Sequence, residues 1–278
     1  MTMDPALILH TAARHYLIDR RVDWITACSR VLNDGHAGDG YHYRDDAKNI
    51  FPRYNVLQAI RVDVERLDPG NLPERDVVVA HLVHAGYHAE DLFTGGDPGE
   101  IEQRAMDEER LAFVDWVERT VSNPPASVRP LPFRRTLTTE EGVRWKAGLE
   151  ERWNLEQGGW WKPIVERADS DQALALDATA FWDENDAGPA TTAVREALRA
   201  LGVERVIELR EYGPEFEADL DLVEPTYNGA EGLFTSEGLA WLLFASHEGV
   251  SAIGGTIVEP FKQLWPDWRE ARWQGFNF

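Results

Sequence analysis

Apolar positions in the first 121 residues recur at helical spacing. Asp4 and Pro5 mark a helix start, an N-cap acid followed by Pro at the first helical position. Leu7, Ile8, Tyr16, Leu17, Trp24, Ile25, Cys28, Val31 and Leu32 follow at intervals that keep one stripe apolar. Asn33-Asp34-Gly35 ends this helix, and the Gly-rich polar run to Tyr43 reads as a loop. Val56, Leu57, Ile60, Val64 and Leu67 place a second helix from about Pro52 to Leu67, closed by the turn Asp68-Pro69-Gly70-Asn71. A third covers about Pro73 to Phe93. A fourth, very polar, spans about Glu100 to Val121. Pro124, Pro125, Pro130 and Pro132 then exclude a helix or a central strand. Residues 122–132 are therefore read as a linker between a helical domain, 1–121, and a second domain, 133–278.

In the second domain the period changes. Thr138 and Glu141 form a capping-box pattern for a helix running to about Trp153, and Ala190 to Leu201 reads as another, with Gly202 as its left-handed cap. Strands are predicted at Val203–Leu209, Phe216–Val223, Leu233–Thr235, Leu239–Ala245 and Val250–Ile253, and a closing helix at Thr256–Leu264. Short turns between consecutive strands imply an antiparallel sheet with flanking helices, packed to one side. The fold class is α+β, a helical domain followed by this sheet domain.

One strand carries the chain's most distinctive pattern. In Glu215-Phe216-Glu217-Ala218-Asp219-Leu220-Asp221-Leu222, acids and apolar residues alternate with the strand period. The expectation is that Phe216, Leu220 and Leu222 are buried and that Glu215, Glu217, Asp219 and Asp221 stand exposed on the other face. No lysine or arginine occurs between Arg210 and Lys262, and Glu224 extends the same acidic window. A single-sign row attracts cations or a basic surface. A partner-binding face of Glu215, Glu217, Asp219, Asp221 and Glu224 is therefore expected.

Composition supports that direction. The chain has 28 basic and 49 acidic residues, a formal net charge of −21. Such a balance disfavours direct nucleic-acid binding, which needs clustered Lys and Arg, and disfavours anionic membrane surfaces. No run approaches the ~20 apolar residues of a membrane span, and the N-terminus lacks a basic signal-peptide region. A single cysteine, Cys28, allows no intramolecular disulfide and suits a reducing cytosol, so a cytoplasmic location is expected.

Chemistry-bearing groups are sparse. His81, His84 and His88 can share one helical stripe, and imidazole is a good zinc ligand. The metalloprotease pattern is absent, because Leu82 stands where its general base would be. His36, Asp39, His42, Asp45 and Asp46 crowd one Gly-rich loop. These two segments define the alternative reading, a divalent-metal-dependent enzyme. Ser246-His247-Glu248 places triad residue types side by side, but adjacent side chains diverge and cannot form a triad. There is no dinucleotide or phosphate-loop fingerprint, and no cofactor is expected.

Leu242-Leu243-Phe244-Ala245-Ser246-His247-Glu248-Gly249, Gly254-Gly255 and Trp265-Pro266-Asp267-Trp268, with Gly159-Trp160-Trp161-Lys162-Pro163 upstream, resemble segments of small acidic bacterial immunity-type proteins encoded beside toxins. The resemblance covers roughly residues 140–270. It implies a non-enzymatic α+β protein whose partner is a toxin, and it assigns no catalytic residue.

Overall fold

A computed structural model describes residues 4–31, 45–155, 173–181 and 188–274. The chain divides into two compact units, Met1–Leu131 and Pro132–Phe278.

The first unit is helical: α1 (Pro5–Val31), the short α2 (Asp45–Lys48), α3 (Phe51–Val64), α4 (Arg75–His88) and α5 (Glu100–Ser122). Leu9, Ala13 and Leu17 of α1, Val56, Leu57 and Ile60 of α3, Val78, Leu82 and Ala85 of α4, and Phe113 and Val117 of α5 form one core. The polar α5 belongs to it because its buried acid is paired. Glu109, 1% exposed, accepts two hydrogen bonds from Arg20, both 2.9 Å, and one of 3.1 Å from Arg53. Trp24 lies against both guanidinium groups, 5.1 Å from Arg20 and 4.9 Å from Arg53. A second buried pair joins Arg14 to Glu65 at 3.1 Å. An unpaired charge in such a core would cost several kcal/mol, so pairing is a condition of α5 docking at all.

The second unit is built on a seven-stranded, wholly antiparallel sheet in the order β1-β4-β3-β5-β6-β7-β2. Its strands are β1 (Arg134–Thr136), β2 (Ala173–Asp177), β3 (Arg205–Arg210), β4 (Phe216–Asp219), β5 (Gly232–Thr235), β6 (Trp241–Ala245) and β7 (Val250–Gly255). The α+β class is as expected, and three departures have clear causes. Helices cover both faces of the sheet. Trp241, Leu243 and Ala245 point to the layer of α7 (Pro189–Ala200) and α8 (Val258–Leu264), whereas Leu242 and Phe244 point to the layer of α6 (Thr139–Trp153). The apolar run at 241–245 thus serves two cores, which is why it shows no alternation. Strands β1 and β2, too short or too uniformly small to stand out, were not foreseen.

The acidic strand also ends early. After Asp219 the chain enters a 3₁₀ turn, Leu220–Leu222, in which residues three apart share a face. Leu220 and Val223 are therefore buried and Leu222 is 37% exposed, contrary to the alternation expected through residue 222. The turn is fixed by Leu220 N–H donating to Glu204 O at 2.9 Å and Val223 N–H donating to Leu220 O at 3.1 Å. The Trp160-Trp161 segment lies outside the described residues.

Buried His10 gives the first unit a pH dependence. Its Nε2 lies 3.2 Å from the Val64 carbonyl, and its Nδ1 is buried without a partner among the described residues. Burial, reinforced by Arg14 and His81 and opposed by the Val64 carbonyl and Glu65, lowers its pKa from 6.5 to about 4. The unfolded chain takes up a proton below pH 6.5 that the folded chain refuses until about 4, so this stability is full above 6.5 and is lost as pH falls through that window. Between pH 7 and pH 5 the loss is about 2 kcal/mol. Denaturant unfolding of the full chain at both pH values should show His10→Gln losing about that much less than the parent.

Candidate functional site

The predicted acidic row exists, but it is not open. Glu215, Glu217 and Asp219 lie on the α6 side of the sheet, opposite Phe216 and Ala218, and each has a basic partner distant in sequence. Lys146 of α6 pairs with Glu215. Arg135 of β1 donates to Glu217 at 2.8 Å, and Arg205 of β3 lies 3.5 Å from Glu217 and 4.0 Å from Asp219. Asp219 also accepts from the Phe133 N–H at 2.6 Å. Asp221, carried out of the row by the 3₁₀ turn, pairs with Arg199 of α7. The expected open, unpaired face is therefore corrected to an ion-paired one: Glu215, Glu217 and Asp219 are partly buried, whereas Asp221 is exposed as expected but paired. Only Glu224, exposed, has no ion-pair partner among the described residues.

That network positions α6. Thr138 caps the helix, its hydroxyl accepting from Glu141 N–H at 3.2 Å, while Glu141 Oε2 accepts from Thr138 N–H at 2.9 Å. Arg135 grips the same Glu141 carboxylate with two 2.9 Å hydrogen bonds. Arg135 and, after it, the Thr138 capping hydrogen bonds hold the Glu141 carboxyl down at about 2 against partial burial. At the other end of α6, Trp153 donates to Leu239 O at 3.2 Å. Its ring lies so close to Gly255, φ +82°, that a Cβ there would stand 2.7 Å from it and 2.3 Å from the Ala240 carbonyl.

Between these anchors α6 and the sheet leave a pocket of about 380 Å³. Leu149, Leu155, Leu209, Leu233 and Phe244 make its apolar floor, and Lys146, Arg210, Glu150, Glu211 and Glu231 contribute the charged lining. Glu231 is 5% exposed. Its Oε1 accepts from Ser246 Oγ–H at 2.7 Å, from His247 N–H at 3.1 Å and from His247 Nδ1. Ser246 thus serves the carboxylate and the turn, its Oγ also accepting from Glu248 N–H at 3.1 Å. Ser246 and His247 both converge on Glu231 instead of pairing with each other, so the three do not form a nucleophile–base relay.

The same end of the sheet carries exposed aromatic rings. Tyr212, 42% exposed, donates to Gly229 O, and Tyr227, 44% exposed, lies 6.1 Å from the His247 ring. A hydrogen bond with Tyr227 raises the Tyr212 phenol. Glu211 and Glu248 are exposed beside them, without basic partners among the described residues. Cross-strand register explains the grouping. Arg210, Gly232 and Ala245 align across β3, β5 and β6, so the residues that follow or precede them, Glu211, Glu231 and Ser246, emerge within a strand spacing or two of one another.

The histidine stripe does not converge. His81 Nε2 lies 2.7 Å from the Asp63 carbonyl, while His84 and His88 pack ring to ring at 4.7 Å and line a pocket of about 230 Å³ with Asp63, Arg66 and Glu90. Among the described residues no three His, Cys, Asp or Glu side chains are grouped to hold a metal ion. Of the second metal candidate, His36, Asp39 and His42 lie outside the described residues, and Asp45 and Asp46 open α2. No helix among the described residues is long and apolar enough to cross a membrane. Compared with protein-family models, curated proteins and solved structures, the chain matches none.

The acid-rich window was legible in the sequence, but the bases that pair with its strand acids were not. The signal for the pocket was present in the apolar alternate positions of β5 and β6 facing α6. It could be read only once α6 was known to stop short of covering them.

Arg135 ties three elements together, so its loss should be felt by all of them. Arg135→Met is expected to destabilise the second unit by about 2 kcal/mol. The measurement is denaturant unfolding, with Arg144→Met, an exposed α6 residue, as the comparison expected to stay near the parent.

Proposed function

We propose that this protein is a non-catalytic, acidic interaction protein of the immunity type, working in the cytoplasm, which binds a basic protein partner, a toxin. The observation that supports this reading is the sheet end bearing Tyr212, Tyr227, His247, Glu211 and Glu248, with Glu224 nearby. Here exposed aromatic rings stand beside carboxylates that no base among the described residues neutralises. Tyrosine rings supply contact area at low entropic cost and are favoured at binding hot spots. Unpaired rim carboxylates steer a basic surface and select against an acidic one. The docking surface is thus moved from the row 215–221, whose acids serve α6 and α7, to the adjoining turns, with Glu224 retained. The resemblance of residues 140–270 to immunity-type proteins points to the same kind of partner.

The test is calorimetric titration with the basic protein encoded beside this chain's gene. Binding should weaken steeply between about 0.05 M and about 0.5 M salt, because exposed charges are screened over a few ångströms at the higher value. The double variant Glu211→Lys, Glu248→Lys should raise Kd by about tenfold or more, roughly 1.4 kcal/mol. Glu217→Gln should alter stability and leave Kd unchanged. No binding, or binding indifferent to salt and to the charge reversal, would overturn the proposal.

A further inference from the structure

The pocket beside the proposed docking end is chemically selective. Its floor is aliphatic and aromatic, as a methylene stem requires, and its charged lining is unbalanced. Three carboxylates face two bases, and both bases are engaged elsewhere: Lys146 pairs with Glu215 and donates to Arg210 O at 3.1 Å, while Arg210 lies 3.7 Å from Glu208 and donates to Asn228 O at 3.2 Å. Glu150 and Glu211 are exposed at the lining, without basic partners among the described residues. Glu231 is the decisive group. It is buried, 5% exposed, and faces the pocket, and every donor it receives reaches Oε1. Oε2 therefore has no donor among the described residues. Oε2 is thus left open to the pocket, where a cation at the end of an apolar stem is its complement.

Resting on the partner reading above, we infer that this pocket receives a lysine or arginine side chain of the basic partner. The stem lies on Leu209, Leu233 and Phe244, and the cationic head reaches Glu231, with Glu211 and Glu150 at the mouth. The volume of about 380 Å³ accommodates one such side chain. A salt bridge at the buried Glu231 is screened less than one on the rim, so this contact holds the complex where the rim charges speed its formation.

The pocket can be tested without the partner. The isotope-labelled full chain is titrated by NMR with N-acetyl-arginine amide, N-acetyl-lysine amide and N-acetyl-norleucine amide, which keeps the stem and removes the charge. The cationic amides should bind saturably with Kd of about 1 mM and shift the signals of Leu233 and Phe244. The norleucine amide should bind at least about tenfold more weakly. Whichever cation binds more tightly identifies the preferred side chain. Glu231→Gln keeps an oxygen for Ser246 and His247, and it should reduce cation affinity about tenfold while leaving norleucine binding unchanged. Glu211→Gln, at an exposed position where folding is not in question, should reduce it by about threefold. Equal binding of the neutral amide, no binding at all, or a preference for N-acetyl-glutamate amide would each overturn the assignment. If the cations bind and the neighbouring gene's product does not, the partner reading fails and the pocket stands. If that product binds and the cations do not, the pocket assignment fails alone.

Discussion

The second unit depends on Arg135. From the edge strand β1 it reaches Glu217 on β4 and Glu141 in the capping box of α6, and so joins a strand edge, a strand face and a helix terminus through one guanidinium group. The fork geometry of arginine makes this possible, since lysine could not grip the Glu141 carboxylate with two parallel donors. Once α6 is fixed there, Lys146 falls over Glu215, and the helix close-packs over Gly142, where a Cβ would collide with the Glu215 carboxylate at 1.7 Å. The far end is then set by Trp153 over Gly255. The pocket lies between the helix held at both ends and the sheet face beneath it.

The charge of −21 therefore does two kinds of work. Acids facing the body of the second unit are matched by bases from other elements and act as positional contacts between strand and helix. Glu211 and Glu248, on the turns at one end of the sheet, have no basic partner among the described residues. The distinction is structural, because these acids lie on turns that lead out of the sheet, not on a strand face beneath α6. A docking surface at that end is consistent with α6 and the sheet forming a rigid support behind exposed tyrosines, with Glu231 held by the turn that carries His247.

The first unit uses the same chemistry in a drier setting. Arg20 and Arg53 converge on buried Glu109, and Arg14 on buried Glu65. Each pair gains strength from low polarity and depends on its geometry, since removing one member leaves a charge that the core cannot solvate. His10 shows the complement, a titratable group kept neutral because burial and the Arg14 charge outweigh the pull of Glu65.

Much of this architecture was legible in the sequence. The caps at Thr138–Glu141 and Gly202, the helical period before residue 122 and the strand runs at 205–210, 232–235, 241–245 and 250–255 are local signals, set by backbone preference and side-chain period. They fixed the α+β class. The alternation at 215–219 also correctly placed Phe216 and Ala218 opposite the acids. What local pattern could not decide was who meets those acids. Arg135 lies 82 residues from Glu217 and Lys146 lies 69 from Glu215, separations over which only the strand order β1-β4-β3 and the docking of α6 bring opposite charges together. The sequence determined that this protein carries an excess of negative charge on alternating and turn positions. The tertiary structure decided which carboxylates were consumed in holding it together and which were left facing outward, because an ion pair is a matter of distance in space, and distance along the chain does not report it.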